Sequence, residues 1–308
     1  MIQCMMPMKI DKQYNGICFN DKEHKYWDVN DEKKEFISVT TLIGEYSAPF
    51  DEKFWSKYKA IETLLDKDAW KDLKKTLLNT HKLTNDMLDA YGINKDDLNR
   101  EQQNILDAWQ KEKDEACTRG TQIHSEIEHS FYKMTDDTPL KKFGIGGKFI
   151  CKEGYDKLDL ENGVYPEYLI SWSSPDNLFN LAGQIDLLVK NGHEYIIIDH
   201  KSNKKIDQKG FFNVNTRSTT KMLYPLNTLD DCNFSHYEMQ LSIYAFMIQA
   251  KDPQAVIKDL IINHYDHNMN NTLYHCIYRK EEVKRLLVSY YKKKKESIRR
   301  SRREPIKY

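Results

Sequence analysis

The stretch from residue 181 to residue 201 constrains the fold more than any other part of the chain. It contains two apolar segments separated by Asn191-Gly192, a residue pair typical of the tight turns that join antiparallel strands. Successive side chains of a strand point to opposite faces, so Asp199 and Lys201 leave the same face of the second strand. We therefore predict a β-hairpin whose second strand ends in a carboxylate and an ammonium group on one side.

The first strand of this hairpin also carries an acidic residue. Asp186 lies thirteen residues before Asp199, and the turn brings it alongside the end of the second strand. Two carboxylates and a lysine at one edge of a sheet are the groups that a divalent cation and a water nucleophile need to hydrolyse a phosphodiester. The alternative is a solvated strand end with a surface ion pair, because an acidic residue two positions before a lysine also occurs elsewhere, for example at Asp72 and Lys74.

Length and composition set the outer limits of the fold. A chain of 308 residues with 40% hydrophobic residues can form one large domain or two small ones. No apolar run approaches the roughly eighteen residues of a membrane span, and the start of the chain has no apolar segment of a signal peptide. We expect an intracellular, cytoplasmic protein with no membrane partner. The cysteines have no C-x-x-C spacing, so we expect free thiols rather than a zinc ribbon or a disulfide framework at Cys4, Cys18, Cys117, Cys151, Cys232 and Cys276.

Positive charge is concentrated at the end of the chain. The net charge is zero, but eleven Lys and Arg and only two Glu lie between Lys284 and Tyr308. This local balance of about +9 suggests an anionic partner such as nucleic acid for the tail. Two other interpretations stay open: a solvated terminal helix, or a helix that Leu286, Leu287 and Tyr290 dock on the core.

Hydrophobic periodicity divides the chain into four predicted parts. The first contains short strands between residues 16 and 39 and a helix that a Ser or Thr of residues 38–41 caps. The second is an all-helical insertion, interrupted at residues 84–85 and 91–92, which either covers the site or simply packs around its own core. The four parts are residues 1–53 (N-terminal strands and capping helix), 54–117 (helical insertion), 118–280 (core) and 281–308 (basic C-terminal helix and tail).

A helix is predicted to begin at Gly120-Thr121. On this helix His124 and Glu128 are four residues apart and share one face, so an imidazole and a carboxylate lie one turn from each other. The alternative is a His-Glu pair on the surface of an amphipathic helix. The glycine-rich run at residues 144–148 lacks the first Gly of a phosphate-binding loop and has Phe149 in place of Ser or Thr, so we expect no ATP site.

The remaining core elements are predicted from the same periodicity. Glu167 lies in a predicted strand at 165–172, and Gln240 and Tyr244 lie one turn apart on a predicted helix at 235–250. Between the hairpin and this helix, residues 202–231 form a long polar stretch that is either a mobile loop beside the site or an insertion. A final strand pair is predicted at 260–265 and 273–278. Together these elements predict an α/β fold with a central mixed sheet flanked by helices.

Five segments, in this order, resemble the motifs of the RecB-like branch of the PD-(D/E)XK nucleases. They are GTQIHSEIE (120–128), PEYLI (166–170), AGQID (182–186), IIIDHK (196–201) and QLSIY (240–244). They match G-x-x-x-H-x-x-x-E, an upstream Glu, G-x-x-D, D-x-K and Q-x-x-x-Y, and the resemblance covers about residues 119–250. With SVTTLI (38–43) and the helical stretch after it, the chain looks most like the stand-alone single-strand DNA exonucleases, which include the mitochondrial genome maintenance exonuclease and its phage relatives.

The resemblance implies a restriction-endonuclease-like core and a metal site. His124, Asp186 and Asp199 would bind Mg²⁺ or Mn²⁺, with the backbone carbonyl of His200 as a further ligand. Lys201 would orient or deprotonate the attacking water and offset charge on the scissile phosphate. Oxygen ligands suit Mg²⁺, and one imidazole moves the preference towards Mn²⁺.

The same resemblance assigns roles around the metal. Glu128 and Glu167 would support the ligands or bind a second ion. Gln240 and Tyr244 would contact the nucleic acid or hold Lys201 in place, and Arg119 and Thr121 would contact the nucleic acid. Several relatives carry a four-cysteine iron-sulfur cluster, but we expect none here because Cys232 and Cys276 are too isolated to supply it.

The expected function is metal-dependent hydrolysis of DNA phosphodiester bonds from single-stranded ends, in recombination, repair or replication. DNA is the expected partner, together with recombination or replication proteins, and a phage-encoded enzyme would act in the host cytoplasm. One alternative is a structure-specific or site-specific endonuclease on the same core. The other is an inactive nucleic-acid-binding or assembly protein, which the presence of His124, Asp186, Asp199 and Lys201 argues against.

Overall fold

The structure is a computed structural model, and it describes residues 12–14, 16–20, 23, 25–134, 138–141, 143, 145, 160–213 and 216–301. The strands are β1 (Lys12–Tyr14), β2 (Ile17–Asn20), β3 (Lys25–Asp28), β4 (Asp31–Ser38), β5 (Gly163–Ser173), β6 (Asn180–Asn191), β7 (Glu194–Lys201), β8 (Phe212–Asn213), β9 (Ser218–Thr219), β10 (Val256–Tyr265) and β11 (Asn271–His275). The helices are α1 (Val39–Gly44), α2 (Glu52–Leu64), α3 (Lys67–Thr80), α4 (Asn85–Ala90), α5 (Lys95–Tyr132), α6 (Thr138–Lys141), α7 (Asn233–Lys251) and α8 (Lys280–Ser301).

Within the described residues, nine strands form one mixed sheet. Their order is β1-β2-β3-β4-β6-β7-β10-β11, with β5 paired to the other edge of β6. The β4/β6 and β7/β10 pairs are parallel, and the other pairs are antiparallel. The predicted α/β fold with a central mixed sheet flanked by helices is therefore confirmed.

One edge of β6 is shared by two neighbours. Leu181 and Ala182 pair with β4, and the stretch from Leu187 to Asn191 pairs with β7. On the opposite edge, β5 pairs with β6 from Asn180 to Lys190, except at Asp186. The sheet thus forks beside Asp186, which lies between the two pairings. Asp186 therefore has no pairing partner on that edge among the described strands.

The predicted hairpin is present, but its turn lies one residue later than expected. The strands end at Asn191 and begin again at Glu194, so the turn residues are Gly192 and His193 rather than Asn191-Gly192. Gly192 has φ +59°, a backbone conformation that glycine adopts at little cost. The register that results pairs Leu187 with Ile198.

Helix α7 is buried on all sides. Its interior side chains pack into the main hydrophobic core together with residues of β5, β7 and β10, and α8 covers it. Polar side chains of α7 are buried along with the apolar ones, among them Glu238, Gln240 and Ser242. Helix α8 packs on the main core through four buried side chains, Val283, Leu286, Leu287 and Tyr290. This agrees with the interpretation in which the C-terminal helix docks on the core.

The chain forms two compact units. The first contains Met1–Ser47, Gln122–Phe212 and Thr219–Tyr308, and the second contains Ala48–Thr121 and Asn213–Ser218. The helical unit has its own core, formed by Phe54, Tyr58, Ile61, Leu73, Leu77 and neighbours. The predicted interruptions are confirmed, because Thr84 caps α4 and Gly92 takes φ +66° after it.

The helix expected to start at Gly120-Thr121 does not start there. Helix α5 runs without a break for 38 residues through Gly120 and past the boundary drawn between residues 117 and 118. One glycine costs a helix only about 1 kcal/mol, which the rest of so long a helix outweighs. By contrast, the helix cap predicted within residues 38–41 is confirmed. The Ser38 side chain accepts a hydrogen bond from the Thr41 amide at the start of α1.

Three further observations complete the fold. No helix in the described part of the chain is long and apolar enough to cross a membrane. Among the described residues, Cys18, Cys117, Cys232 and Cys276 form no disulfide bond, whereas Cys4 and Cys151 lie outside the described residues. The glycine-rich run at 144–148 lies outside them too, except for Ile145.

Candidate functional site

The sheet fork brings the two motif aspartates to the same place. Asp186, on β6, accepts a hydrogen bond of 2.6 Å from the backbone N–H of His200, on β7. The carboxylate therefore links the two strands just beyond the last pair of their ladder. Because His200 lies between Asp199 and Lys201, this bond fixes the backbone from which both of those side chains leave.

A cluster of three side chains surrounds the Asp186 carboxylate. His124 Nδ1, from α5, lies 3.6 Å from Asp186 Oδ2 and 4.0 Å from Glu167 Oε1, from β5. One ligand atom from each residue lies within 4.8 Å of the others. We call His124, Glu167 and Asp186 the open cluster, because their side chains are 32%, 16% and 11% exposed to solvent.

A local irregularity of β5 places Glu167 in the open cluster. Pro166 pairs with Leu187 and Tyr168 with Ile185, so the pairing passes over Glu167, which has φ +51°. A left-handed conformation is uncommon for a residue with a long side chain and costs of order 1 kcal/mol. The side-chain amide of Gln184 donates a hydrogen bond to Glu167 Oε2 and helps to hold the carboxylate there.

The hydrogen bonds of His124 indicate which ring nitrogen faces the carboxylates. Nε2 lies 3.0 Å from the backbone carbonyl of His200, which can only accept, so we assign the proton to Nε2. In the neutral ring Nδ1 then carries a lone pair and faces the carboxylates of Glu167 and Asp186. Three acceptors pointing at one another repel, and a divalent cation between them removes the repulsion. The donor set of one imidazole nitrogen and two carboxylates therefore fits Mg²⁺ or Mn²⁺.

Asp199 and Lys201 form a separate arrangement, which we call the buried pair. Lys201 Nζ lies 2.6 Å from Asp199 Oδ2, and the side chains are 19% and 1% exposed. Gln240, from α7, donates to Asp199 Oδ1 over 3.0 Å. The Lys201 ammonium also lies 4.8 Å from the centre of the Tyr237 ring, a cation–π contact. Each charge of the pair thus has a partner within the protein.

Burial governs the titration of the pair. Removal from water raises the pKa of Asp199 to about 6, and the nearby Lys201 charge opposes this rise. The pKa of Lys201 is raised overall, because burial lowers it less than the charges of Asp199 and Asp186 raise it. Burial also raises the pKa of Tyr237. Lys201 therefore keeps its proton at neutral pH.

A close packing contact holds the α7 side of the site. A Cβ atom on Gly183 would lie 2.6 Å from Cε1 of the Tyr244 ring, closer than real side chains approach. Glycine at this position lets Tyr244 lie flat against β6. The Tyr244 hydroxyl accepts a hydrogen bond of 3.3 Å from the same Gln240 amide that binds Asp199. A chain of contacts thus connects Gly183, through Tyr244 and Gln240, to the buried pair.

The structure divides the residues expected to bind metal. His124 and Asp186 lie in one cluster, and Glu167 joins them, although a supporting role or a second ion was expected for it. Asp199 lies in the buried pair instead, and the carbonyl of His200 faces His124 Nε2. Glu128 is half-buried and is not part of the three-residue cluster that the described residues form.

The residues expected to contact nucleic acid lie in different places. Gln240 and Tyr244 are buried, at 6% and 3% exposure, which favours the holding role over direct contact. Arg119 and Thr121 lie on α5, in the part of this helix that belongs to the helical unit. The Thr121 hydroxyl donates to the Cys117 carbonyl one turn earlier.

Three residues of the site were not identified from the sequence. Gln184 binds Glu167, Tyr237 lies against Lys201, and Gly183 admits the Tyr244 ring. Gln184 and Gly183 stand inside AGQID, so the glycine of that motif was an available signal. Tyr237 is three residues before Gln240 on the same helix face, a spacing that could have pointed to it.

Searches against models of protein families, curated proteins and solved structures find no match for this chain.

Proposed function

We propose that this chain is a metal-dependent nuclease with a PD-(D/E)XK-like core of the RecB-like type, which hydrolyses DNA phosphodiester bonds from single-stranded ends. The order of the five sequence motifs supports the proposal. So does the mixed α/β sheet, whose neighbouring strands β6 and β7 carry Asp186 and the Asp199-His200-Lys201 segment.

The observation that carries the proposal is the juxtaposition of the open cluster and the buried pair. The backbone N–H of His200 bonds Asp186, and His200 itself separates Asp199 from Lys201. An imidazole and two carboxylates that could bind a cation thus lie beside a protonated lysine. A bound cation activates water for phosphodiester hydrolysis, and a positive charge near the reacting phosphate stabilises the charge that develops on it.

In the proposed mechanism His124 Nδ1, Glu167 and Asp186 would hold a Mg²⁺ or Mn²⁺ ion. When bound, such an ion would lower the pKa of a water ligand and stabilise negative charge on the phosphate. Lys201 orients the attacking water and offsets the charge that develops on the phosphate oxygens, because its ammonium stays protonated beside Asp199. Asp199 positions Lys201, and Gln240 positions Asp199.

The backbone of β7 supports the ligands of the open cluster. The His200 carbonyl accepts from His124 Nε2 and so directs Nδ1 towards the carboxylates. The His200 amide holds Asp186. The peptide group of His200 thus orients two of the three side chains that would bind the cation.

The test is incubation of the purified chain with linear and circular single-stranded DNA in the presence of Mn²⁺. Degradation of the linear strand alone is the expected result and identifies an exonuclease. Degradation of both identifies the endonuclease alternative. Failure to degrade either, with retained DNA binding, identifies an inactive binding protein. Asp186→Asn is the matched control, because its side chain keeps the shape and the acceptor for the His200 amide but loses the negative charge.

A further inference from the structure

The described part of residues 202–231, which we call the 202–231 loop, is held firmly at its ends and in its middle. The backbone N–H of Asp207 donates to the side chain of Asn233 over 2.7 Å, and that of Leu223 donates to the Tyr46 carbonyl over 2.6 Å. Three side chains of the loop are buried in the main core: Met222, Leu226 and Leu229. The loop is therefore a fixed part of the sheet unit, apart from its tip.

Large aromatic side chains of this anchored loop nevertheless point into water. Phe211 is 65% exposed, Phe212 is 53% exposed and Tyr224 is 79% exposed. Among the described residues, five Phe, Tyr or Trp side chains are exposed, and three of them lie in this loop. These three rings lie outside the core, although neighbouring apolar side chains of the same loop are buried. A concentration of exposed rings marks an interaction surface.

The backbone brings these rings near one another. The Thr220 amide donates to the Phe211 carbonyl over 2.9 Å, and the Thr220 carbonyl oxygen lies so close to Gly210 that a Cβ there would clash with it. Tyr224 follows Thr220 by four residues, a distance of at most about 14 Å along an extended chain. The backbone positions of Phe211, Phe212 and Tyr224 are thus close enough for a few nucleotides of a single strand to span them.

The loop also carries cations between the rings and the candidate catalytic lysine. Lys204, Lys205 and Lys209 are exposed, and Asp207 is the only acidic residue in 202–213. Residues 202–213, which we call the arm, therefore have a net charge of +2. The loop starts directly after Lys201. Lysines next to exposed rings suit a strand with phosphates on one side and accessible base faces on the other.

We propose that the 202–231 loop binds an unpaired DNA strand by stacking its bases on Phe211, Phe212 and Tyr224. This inference rests on the proposed function and names the surface that would select single-stranded substrate. Stacking on side chains needs exposed base faces, which a duplex hides between its own base pairs. The lysines of the same arm bind the phosphates without regard to sequence.

The experiment measures binding of a fluorescent oligothymidylate by anisotropy, in EDTA so that no cleavage occurs. Wild type is compared with the double variant Phe212→Ala/Tyr224→Ala, on an intact strand and on a strand whose central nucleotides are abasic. Stacking of one base on an aromatic side chain contributes about 1–3 kcal/mol. At roughly 1.4 kcal/mol per factor of ten, the double variant should bind the intact strand at least about tenfold more weakly.

The abasic strand separates stacking from any other cause. Wild type should bind it about as weakly as the double variant binds the intact strand, and the double variant should lose little more. Tyr224→Phe, which keeps the ring, and Ile277→Ala, which removes a side chain 63% exposed outside the loop, should bind as wild type does. Melting curves should be unchanged, since the substituted rings are exposed.

The inference is overturned if the double variant binds the intact strand as wild type does, or if its loss is the same on intact and abasic strands. The first result would assign the rings to another partner, such as a protein. Cleavage of linear single-stranded DNA in Mn²⁺ by wild type tests the proposed function separately. Ring-dependent binding without cleavage supports the loop surface and contradicts the nuclease. Cleavage with ring-independent binding contradicts only the loop surface.

Discussion

The open cluster and the buried pair adjoin the same residue of β7, yet their charges are balanced in opposite ways. In the buried pair, the Asp199 carboxylate has Lys201 at 2.6 Å and Gln240 at 3.0 Å. In the open cluster, His124 Nδ1 faces two carboxylates at 3.6 Å and 4.0 Å. The ring proton is on Nε2, which donates to the His200 carbonyl. In the buried pair an ammonium group neutralises the carboxylate, whereas the open cluster brings two carboxylates together with an imidazole nitrogen.

This difference separates metal binding from the positioning of Lys201, two roles that the sequence motifs alone do not distinguish. The D-x-K motif suggests that Asp199 is a metal ligand, whereas its position favours a role in holding Lys201. Glu167, which was expected beside the ligands, instead lies with His124 and Asp186 in the open cluster. The comparison therefore predicts that changes in the open cluster act on metal binding, and that changes around the buried pair act on the chemical step or on stability.

Removal of the lysine should give the largest effect. We expect Lys201→Met to lower kcat by about 10²–10⁴-fold, the range typical for loss of a group that assists proton transfer or charge development. The methyl thioether fills the space but cannot carry charge. Single-turnover cleavage of linear DNA in Mn²⁺ measures the change, and a melting curve checks the fold. A variant with wild-type kcat would remove Lys201 from the mechanism.

The thiol of Cys276 provides a probe of the environment of the buried pair. Burial raises its pKa to about 12, and the negative charges of Glu238 and Asp199 raise it as well. A raised thiol pKa means less thiolate at pH 8, so alkylation should be at least about 100-fold slower than that of glutathione. The rate should climb as the pH rises towards 12. Peptide mass spectrometry at Cys276 gives the rate, and reaction at the speed of glutathione would mean that this region is neither buried nor negative.

Overpacking beside Tyr244 should disturb the buried pair from a distance. Gly183→Ala places a methyl group 2.6 Å from the Tyr244 ring, so the ring must move and Gln240 loses its second partner. We expect the free energy of unfolding to fall by about 1–3 kcal/mol. Gly44→Ala is the matched control, because nothing lies within 4 Å of its added Cβ. Equal stability of the two variants in urea unfolding would show that the close contact does not exist.

The smallest expected effect concerns the backbone of the open cluster. At φ +51°, Glu167 adopts a conformation that glycine takes without strain. Glu167→Gly should therefore be more stable than Glu167→Ala by about 1 kcal/mol, although both remove the same carboxylate. Urea unfolding of the two variants decides the point. If alanine is the more stable of the two, as it is in ordinary strand positions, the left-handed conformation is not present.

The sequence alone predicts the parts of the site that local patterns determine. The hairpin and the positions of Asp186, Asp199 and Lys201 on it follow from alternation and from a glycine turn, and the error of one residue at the turn leaves both strands intact. The cap at Ser38 follows from hydrogen-bonding chemistry within four residues.

Other features depend on residues that are distant in the chain. The direction of the Glu167 side chain results from an irregular pairing of β5 with β6 at a residue type that seldom adopts positive φ, so no local pattern indicates it. The continuity of α5 through Gly120 reflects the length of the whole helix rather than its local sequence. The fit of Tyr244 against Gly183 joins positions 61 residues apart, which no periodicity detects.

Calorimetric titration of Mn²⁺ into wild type, Asp186→Asn, Glu167→Gln and Lys201→Met measures whether the open cluster binds metal. We predict that wild type binds the ion and that Asp186→Asn and Glu167→Gln each weaken binding by at least about tenfold, because each loses a charged ligand. Lys201→Met should change the affinity by less than about twofold. Affinity that is unchanged in Asp186→Asn and Glu167→Gln, or that is lost in Lys201→Met alone, would contradict the assignment of metal binding to the open cluster.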